Sequence, residues 1–311
     1  MRVGVFGAGG VGGYFGGKLA QSGEDVSFIA RGEHLKALQT NGLQVESDQG
    51  DFWLKSVQAT GEPHDAGRMD VILVGVKAWQ VSEAAQAMRP MVGPDTFVVP
   101  LQNGVEAPSR LAEVLGERHV IGGLCWISSF SPGPGQIRQG GIEPFIAFGE
   151  INNQPSHRCQ YLMSVFHKAG VKAEIPADIQ VATWEKFTFI TAISGVGGVI
   201  RAPVGITRSL PETRQLLIGA MQEIQSVAEA YQIYMSPDYV SRTITFIDSL
   251  PEGSQPSMQR DLTAGRPSEL SDQNGAVVRL GRESGVPTPI NAFLYASLLP
   301  QEKRARGEVG F

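Results

Sequence analysis

Arg2-Val3-Gly4-Val5-Phe6-Gly7-Ala8-Gly9-Gly10-Val11-Gly12 is a compact apolar run that passes directly into glycines spaced G-x-G-x-x-G. The run reads as a buried strand, and Tyr14, Leu19 and Ala20 continue it as a helical pattern. In a strand–turn–helix of this kind the first glycine permits the tight turn. The second lets backbone N–H groups approach a pyrophosphate, and the third allows helix and strand to pack closely, with the helix N-terminus facing the anion. Gly7, Ala8, Gly9, Gly10, Val11 and Gly12 are therefore the expected dinucleotide-binding loop; the other reading of the motif is a glycine-rich turn with a structural role only. The choice of dinucleotide turns on the end of the second strand, where an acidic residue would bond the ribose 2′-hydroxyl of NAD. Ala30-Arg31-Gly32 stands there instead. A guanidinium at Arg31 pairs with a 2′-phosphate that a carboxylate would repel, so NADP(H) is the expected cofactor. The other reading makes Arg31 a solvated surface residue and the cofactor NAD.

Outward from this loop, Val3 to Phe6, Val26 to Ala30, Val71 to Val76 and Thr96 to Leu101 are short apolar runs rich in Val and Ile, alternating with helical patterns. This predicts α/β architecture: an N-terminal Rossmann-type doubly wound sheet over residues 1–175. Between 119 and 149, longer strand-like segments broken by Pro132-Gly133-Pro134-Gly135 and Gly140-Gly141 predict antiparallel hairpins closing that domain. From 176 to 311 the character is helical, which predicts a C-terminal all-helical domain that carries substrate contacts and chemistry. Pro211 to Tyr231, Pro237 to Leu250 and Ser268 to Ser284 have helix lengths and start signals, and Gln301 to Phe311 reads as a fraying end.

With 311 residues, 42% hydrophobic and 18% charged, the chain has the composition of a two-domain globular protein. A net charge of −5 with scattered basic residues lacks the cationic footprint that nucleic acid requires. Cys125 and Cys159 are distant and have no partners at ligand spacing, so neither a disulfide framework nor a metal site is expected. No charged leader with an apolar stretch and no membrane-length apolar run is read, so a cytoplasmic protein is expected.

Four further segments carry candidate chemistry. Val76-Lys77-Ala78-Trp79-Gln80 and Leu101-Gln102-Asn103-Gly104 follow sheet strands, where ligands lie in open α/β sheets, although Lys77 also reads as a solvated helix-entry lysine and Asn103-Gly104 as a simple turn. In Thr183-Trp184-Glu185-Lys186-Phe187-Thr188-Phe189-Ile190, helical periodicity puts Phe189, Ile190 and Ile193 beside Lys186. An amine on such a face must snorkel, pair or line a cleft, and desolvation favours its giving up a proton. Ser257 and Asp261, four apart, share a helix face, and Glu269 falls in the first turn of the next helix, where a carboxylate is favoured whatever its function.

In order and spacing these pieces resemble the ketopantoate reductase family over nearly the whole chain. The matching residues are the N-terminal GxGxxG, Arg31-Gly32, Lys77-Ala78-Trp79-Gln80, Gln102-Asn103-Gly104, Trp184-Glu185-Lys186, Ser257-Met258 with Asp261, Glu269, and Asn274-Gly275. The resemblance implies NADPH as hydride donor and reduction of 2-dehydropantoate to (R)-pantoate in pantothenate synthesis. It implies Lys186 as catalytic lysine, Glu269 as active-site carboxylate and Ser257 as a substrate-binding serine. Asn103 would lie near both nicotinamide and substrate, and Lys77 and Gln80 near the cofactor; Asp261 reads as a structural contact. By the same analogy a homodimer is expected.

One departure bears on the substrate. The family's catalytic helix usually carries asparagines four and eight residues after the lysine, and this chain has Ile190 and Ser194, of which Ser194 is kept as a substrate contact. Losing an amide to isoleucine can shift discrimination by powers of ten. A paralogue acting on a more apolar 2-oxo acid therefore stands beside the ketopantoate reading, with a non-catalytic NADPH-binding sensor as a more distant alternative.

Overall fold

A computed structural model describes residues 1–310, and Phe311 lies outside the described residues. It divides into two units, one comprising 1–102 and 106–179, the other 103–105 together with the chain from Gln180 onward. The change of unit near 179/180 falls a few residues beyond Ile175-Pro176.

The first unit opens with β1 (Arg2–Phe6), α1 (Gly10–Gln21), β2 (Asp25–Ile29), α2 (Gly32–Asn41), β3 (Leu43–Ser47), β4 (Phe52–Leu54), β5 (Gln58–Thr60) and α3 (Pro63–Ala66). It continues with β6 (Met69–Val74), α4 (Val81–Met88), β7 (Val92–Pro100), α5 (Ala107–Leu115), β8 (Gly122–Trp126) and β9 (Ser129–Gly133). It ends with β10 (Gln136–Gln139), β11 (Phe145–Gly149), α6 (His157–Lys168) and β12 (Lys172–Glu174). The central sheet has order β5-β2-β1-β6-β7 and every pairing in it is parallel. Alternate residues of one strand feed two cores: Val71 and Leu73 pack with Phe15 of α1 and Phe166 of α6, while Ile72 and Val74 pack with Val81 and Met88 of α4 and Leu111 of α5. Strands buried on both faces have no polar side to show, which is why they read as unbroken apolar runs. Because the strand order reverses at β1, the loops after β1 and β6 flank a switch point, the place where such sheets bind ligands.

The segment expected to form antiparallel hairpins does so only in part. β9 pairs antiparallel with β10 and β8 with β11, but β10 also joins β3 in parallel and β11 joins β12 in parallel. They complete a four-stranded sheet β4-β3-β10-β9 and a three-stranded sheet β12-β11-β8.

The second unit is helical: α7 (Ile179–Ile200, from Gln180 onward), α8 (Val204–Ser209), α9 (Pro211–Ala230), α10 (Tyr239–Ser249), α11 (Ser257–Thr263), α12 (Asn274–Ser284) and α13 (Pro289–Ala305). Two sequence expectations are corrected here. Ser268 to Gln273 is a turn rather than the start of a helix, and α12 begins at Asn274. Residues 301–305 form the last turn of α13 instead of fraying, because Glu302 is buried and held by Arg306. No helix among the described residues is long and apolar enough to cross a membrane.

Candidate active site

In the first unit, the glycines of the phosphate loop are enforced by backbone rather than by side chains. Gly7 has φ +99°, and a Cβ on Gly12 would lie 2.1 Å from the Gly7 carbonyl oxygen. Gly75, on the loop after β6, is equally constrained, since its Cβ would stand 2.7 Å from the same oxygen. Gly9 differs: a Cβ there meets nothing within 4 Å. It caps α1 without a side-chain bond, and no acidic residue occupies that helix's first turn, so its N–H groups are available to an anion. Gly10 packs against the backbone of Ser129 and Phe130, and Val11 is partly buried. An open cradle of this kind fits a pyrophosphate.

Arg31 precedes α2 and is exposed; its Nη2 lies 3.1 Å from Glu83 Oε1, and both side chains are more than 60% solvent-accessible. A solvated pair like this contributes little to stability and can exchange its carboxylate for a phosphate. Arg31→Ala should therefore raise the KM for NADPH about tenfold or more while that for NADH stays within about twofold, the loss expected for hydrogen bonds to a charged group. Equal changes for the two cofactors in steady-state assays would dismiss the assignment.

Gln102, quoted in the sequence motif without a role of its own, and His34, which no motif includes, brace these loops. Gln102 donates through Nε2 to the carbonyl oxygens of Val74 (2.7 Å) and Val76 (2.9 Å), fixing the turn that leads to Lys77, and its Oε1 is buried without a partner. Lys77 N–H donates to Gln80 Oε1 at 3.2 Å, closing that loop on itself, and Lys77 Nζ sits 5.8 Å from the Trp79 ring centroid. His34 of α2 accepts the Gly135 N–H at Nδ1 (3.1 Å), so Nε2 carries the proton and donates to the Ala8 carbonyl (2.8 Å). Burial pushes the His34 imidazole below its ordinary pKa, an effect partly opposed by the Ala8 carbonyl. Because the folded state resists protonation, His34 contributes stability that is complete above about pH 6.5, the unfolded value, and declines as pH falls below it. His34→Gln should flatten the fall in urea midpoint between pH 7.5 and 5.5; an unchanged slope would assign the acid sensitivity elsewhere.

In the second unit, α7 carries Lys186. Trp184, buried and edge-on to Phe187 at 5.6 Å between ring centroids, fixes the helix's rotation within a core that includes Ile224, Val227 and Val277. Tyr239 of α10 donates its hydroxyl to the Glu185 carbonyl, and burial pushes that phenol up to about 12, so it stays protonated as a donor. Lys186 is only 7% exposed, and Phe189 and Ile193 on its face are buried. Ile190 is partly exposed.

Asn103 and Glu269, 166 residues apart, come together: Asn103 Nδ2 donates to Glu269 Oε2 at 3.3 Å. Gly104 follows with φ +129°, and a Cβ on it would meet the Asp272 carbonyl at 3.2 Å, so the Asn-Gly turn is needed to bring Asn103 beside the turn that holds Glu269. The Glu269 carbonyl accepts the N–H groups of Asp272 (3.1 Å) and Gln273 (2.9 Å). Ser257 is the first residue of α11, a helix held tightly to α7, since a Cβ on Gly197 would lie 2.5 Å from Gln259 Oε1. Ser194 is fully buried with its hydroxyl unpartnered. Asp261 pairs with Arg266 at 2.8 Å, a structural contact.

A two-unit oxidoreductase, with a dinucleotide-type sheet and a separate helical unit bearing a buried lysine, is the class these features define. The ketopantoate reductase PanE/ApbA pattern matches residues 3–153, and the C-terminal pattern of the same reductase matches 178–302. The chain is 31% identical over 316 residues to the 2-dehydropantoate 2-reductase of Mesorhizobium japonicum, covering 94% of this chain and 96% of the other. It is 29% identical over 304 residues to the uncharacterized oxidoreductase YkpB of Bacillus subtilis, covering 96% and 98%. The crystal structure of 2-dehydropantoate 2-reductase from Geobacter metallireducens superposes with a TM-score of 0.90 at 31% identity, covering 96% of this chain and 99% of that one. The chain belongs to the ketopantoate reductase family, whose members are NAD(P)H-dependent oxidoreductases.

Proposed function

We propose that this protein reduces 2-dehydropantoate to (R)-pantoate with NADPH, in the cytoplasm and as a step of pantothenate synthesis. The observation that carries the reading is a lysine 93% buried, with the buried Phe189 and Ile193 on its helix face, in the same unit that pairs Asn103 with Glu269. The loop from Gly7 to Gly12, with Arg31, Lys77 and Gln80, would hold NADPH, and the bound cofactor would supply the hydride. As hydride reaches a ketone carbon, negative charge grows on the oxygen, and an ammonium donor stabilises it and gives up the proton. Lys186 Nζ is that donor; it is reprotonated from solvent after product leaves. Glu269, oriented by Asn103, positions the lysine or a substrate hydroxyl, while Ser257 and Ser194 offer hydroxyls to the substrate's polar groups.

Ile190 favours a second reading. Its partly exposed apolar side chain stands one helical turn beyond Lys186, where a hydroxyl-bearing substrate would gain from an amide, and so suits a 2-oxo acid with an apolar substituent. Initial rates of NADPH oxidation with ketopantoate and a panel of branched and aromatic 2-oxo acids separate the two. A kcat/KM highest for ketopantoate supports the first, one highest for an apolar acid supports the second, and NADPH binding without turnover on any acid would overturn both in favour of a cofactor sensor.

A further inference from the structure

The turn that carries Glu269 is gripped from behind by the end of α13. Glu302, 1% exposed, accepts the Ser268 backbone N–H at 3.1 and 3.0 Å through its two oxygens and the Ser268 hydroxyl at 2.5 Å. Arg306, one turn later, donates its Nε to Glu302 at 2.6 Å and its Nη2 to the Ser268 carbonyl at 3.0 Å. Ser268 is fully buried, so its N–H, C=O and Oγ–H are all satisfied by this one pair. The Ser268 oxygen also accepts the Leu270 N–H at 3.3 Å, and the Leu270 carbonyl accepts the Gly275 N–H at 2.9 Å. The residues on both sides of Glu269 are thereby fixed, and only the Glu269 side chain is left to reach toward Asn103.

We propose that Glu302 and Arg306 are positioning residues for the reaction, acting through Ser268 to hold the Glu269 carboxylate at its working place. The proposal rests on Glu269 being an active-site carboxylate. Burying a glutamate with two donor groups from a single serine and a third from the arginine that caps its helix is a costly way to end a helix unless the turn it holds must be accurate. A carboxylate set about an ångström out of place can lose most of its effect on rate while the fold survives.

The test is a double-mutant cycle on turnover. Glu302→Gln keeps the volume but removes the charge, and Ser268→Ala removes one oxygen while the backbone N–H at 268 still bonds Glu302; the urea midpoint of each variant checks that it is folded before turnover is compared. Each should lower kcat about tenfold or more with the KM for NADPH unchanged. In a Glu269→Gln background the same substitutions should change kcat by less than about twofold, because the group they position is gone. Unchanged kcat in the single variants, or the same loss in both backgrounds, would overturn the clamp alone. Wild-type turnover by Glu269→Gln would instead overturn the role of Glu269 itself, and the clamp with it.

Discussion

Lys186→Ala should lose about 10²- to 10⁴-fold in kcat while binding NADPH as before, the range a positioned general acid contributes. The expectation follows from where the lysine is held. Its helix is locked in rotation by Trp184 and tied through the Glu185 carbonyl to Tyr239, and it is buried on the face it shares with the buried Phe189 and Ile193. A surface lysine could be lost at little cost and another proton source would take its place from solvent; one so enclosed leaves a site that water replaces poorly. Cofactor fluorescence titration beside single-turnover hydride transfer separates binding from chemistry. Retention of wild-type turnover would remove Lys186 as the acid.

Gly12→Ala should have the second largest effect, and its comparison with Gly9→Ala distinguishes two jobs done by one motif. At Gly12 the added carbon would meet the Gly7 carbonyl at 2.1 Å, so the loop must deform; about 1–3 kcal/mol of stability should be lost, as in other overpacked sites, and NADPH affinity should fall by more than about tenfold. At Gly9 the carbon has open space and the backbone is extended, with φ −72° and ψ −162°, so stability should be unchanged. The space it enters is the space proposed for the pyrophosphate, and affinity should fall all the same. Thermal unfolding and NADPH titration of both variants check this; normal binding by Gly9→Ala would place the cofactor elsewhere.

The central sheet was legible because a strand covered on both faces must be apolar throughout, and Val71–Val74 and Val3–Phe6 obey that rule. The phosphate loop was legible because glycine is required there by contacts a few residues away. The short strands were not. β3 alternates buried and exposed residues, β4 and β5 have three residues each, and their pairing depends on partners as distant as β10. The turn at Ser268–Gln273 looked helical because Ser-x-x-x before an apolar run is a start signal; the hydrogen bonds that Ser268 donates to Glu302 and accepts from Arg306, over thirty residues away, overrule it. Likewise, nothing near His34 in the chain announces Gly135, and nothing near Gln102 announces Val74. The candidate residues were recognised by order and spacing, whereas the groups that brace them answer only to distance in space.

The parallel seam between β3 and β10 also bears on how the chain is made. Gln44 through Ser47 find their parallel partners only at Gln136 through Gln139, and the Arg138–Glu46 pair joins residues 92 apart. During synthesis, β3 and β4 emerge as a two-stranded ribbon with Val45 and Leu43 lacking their cover and one edge open. At about 5–20 residues per second that edge stays open for several seconds. Nascent chains arrested before residue 136 should thus associate readily with one another or with chaperones, and those arrested beyond α6 should not.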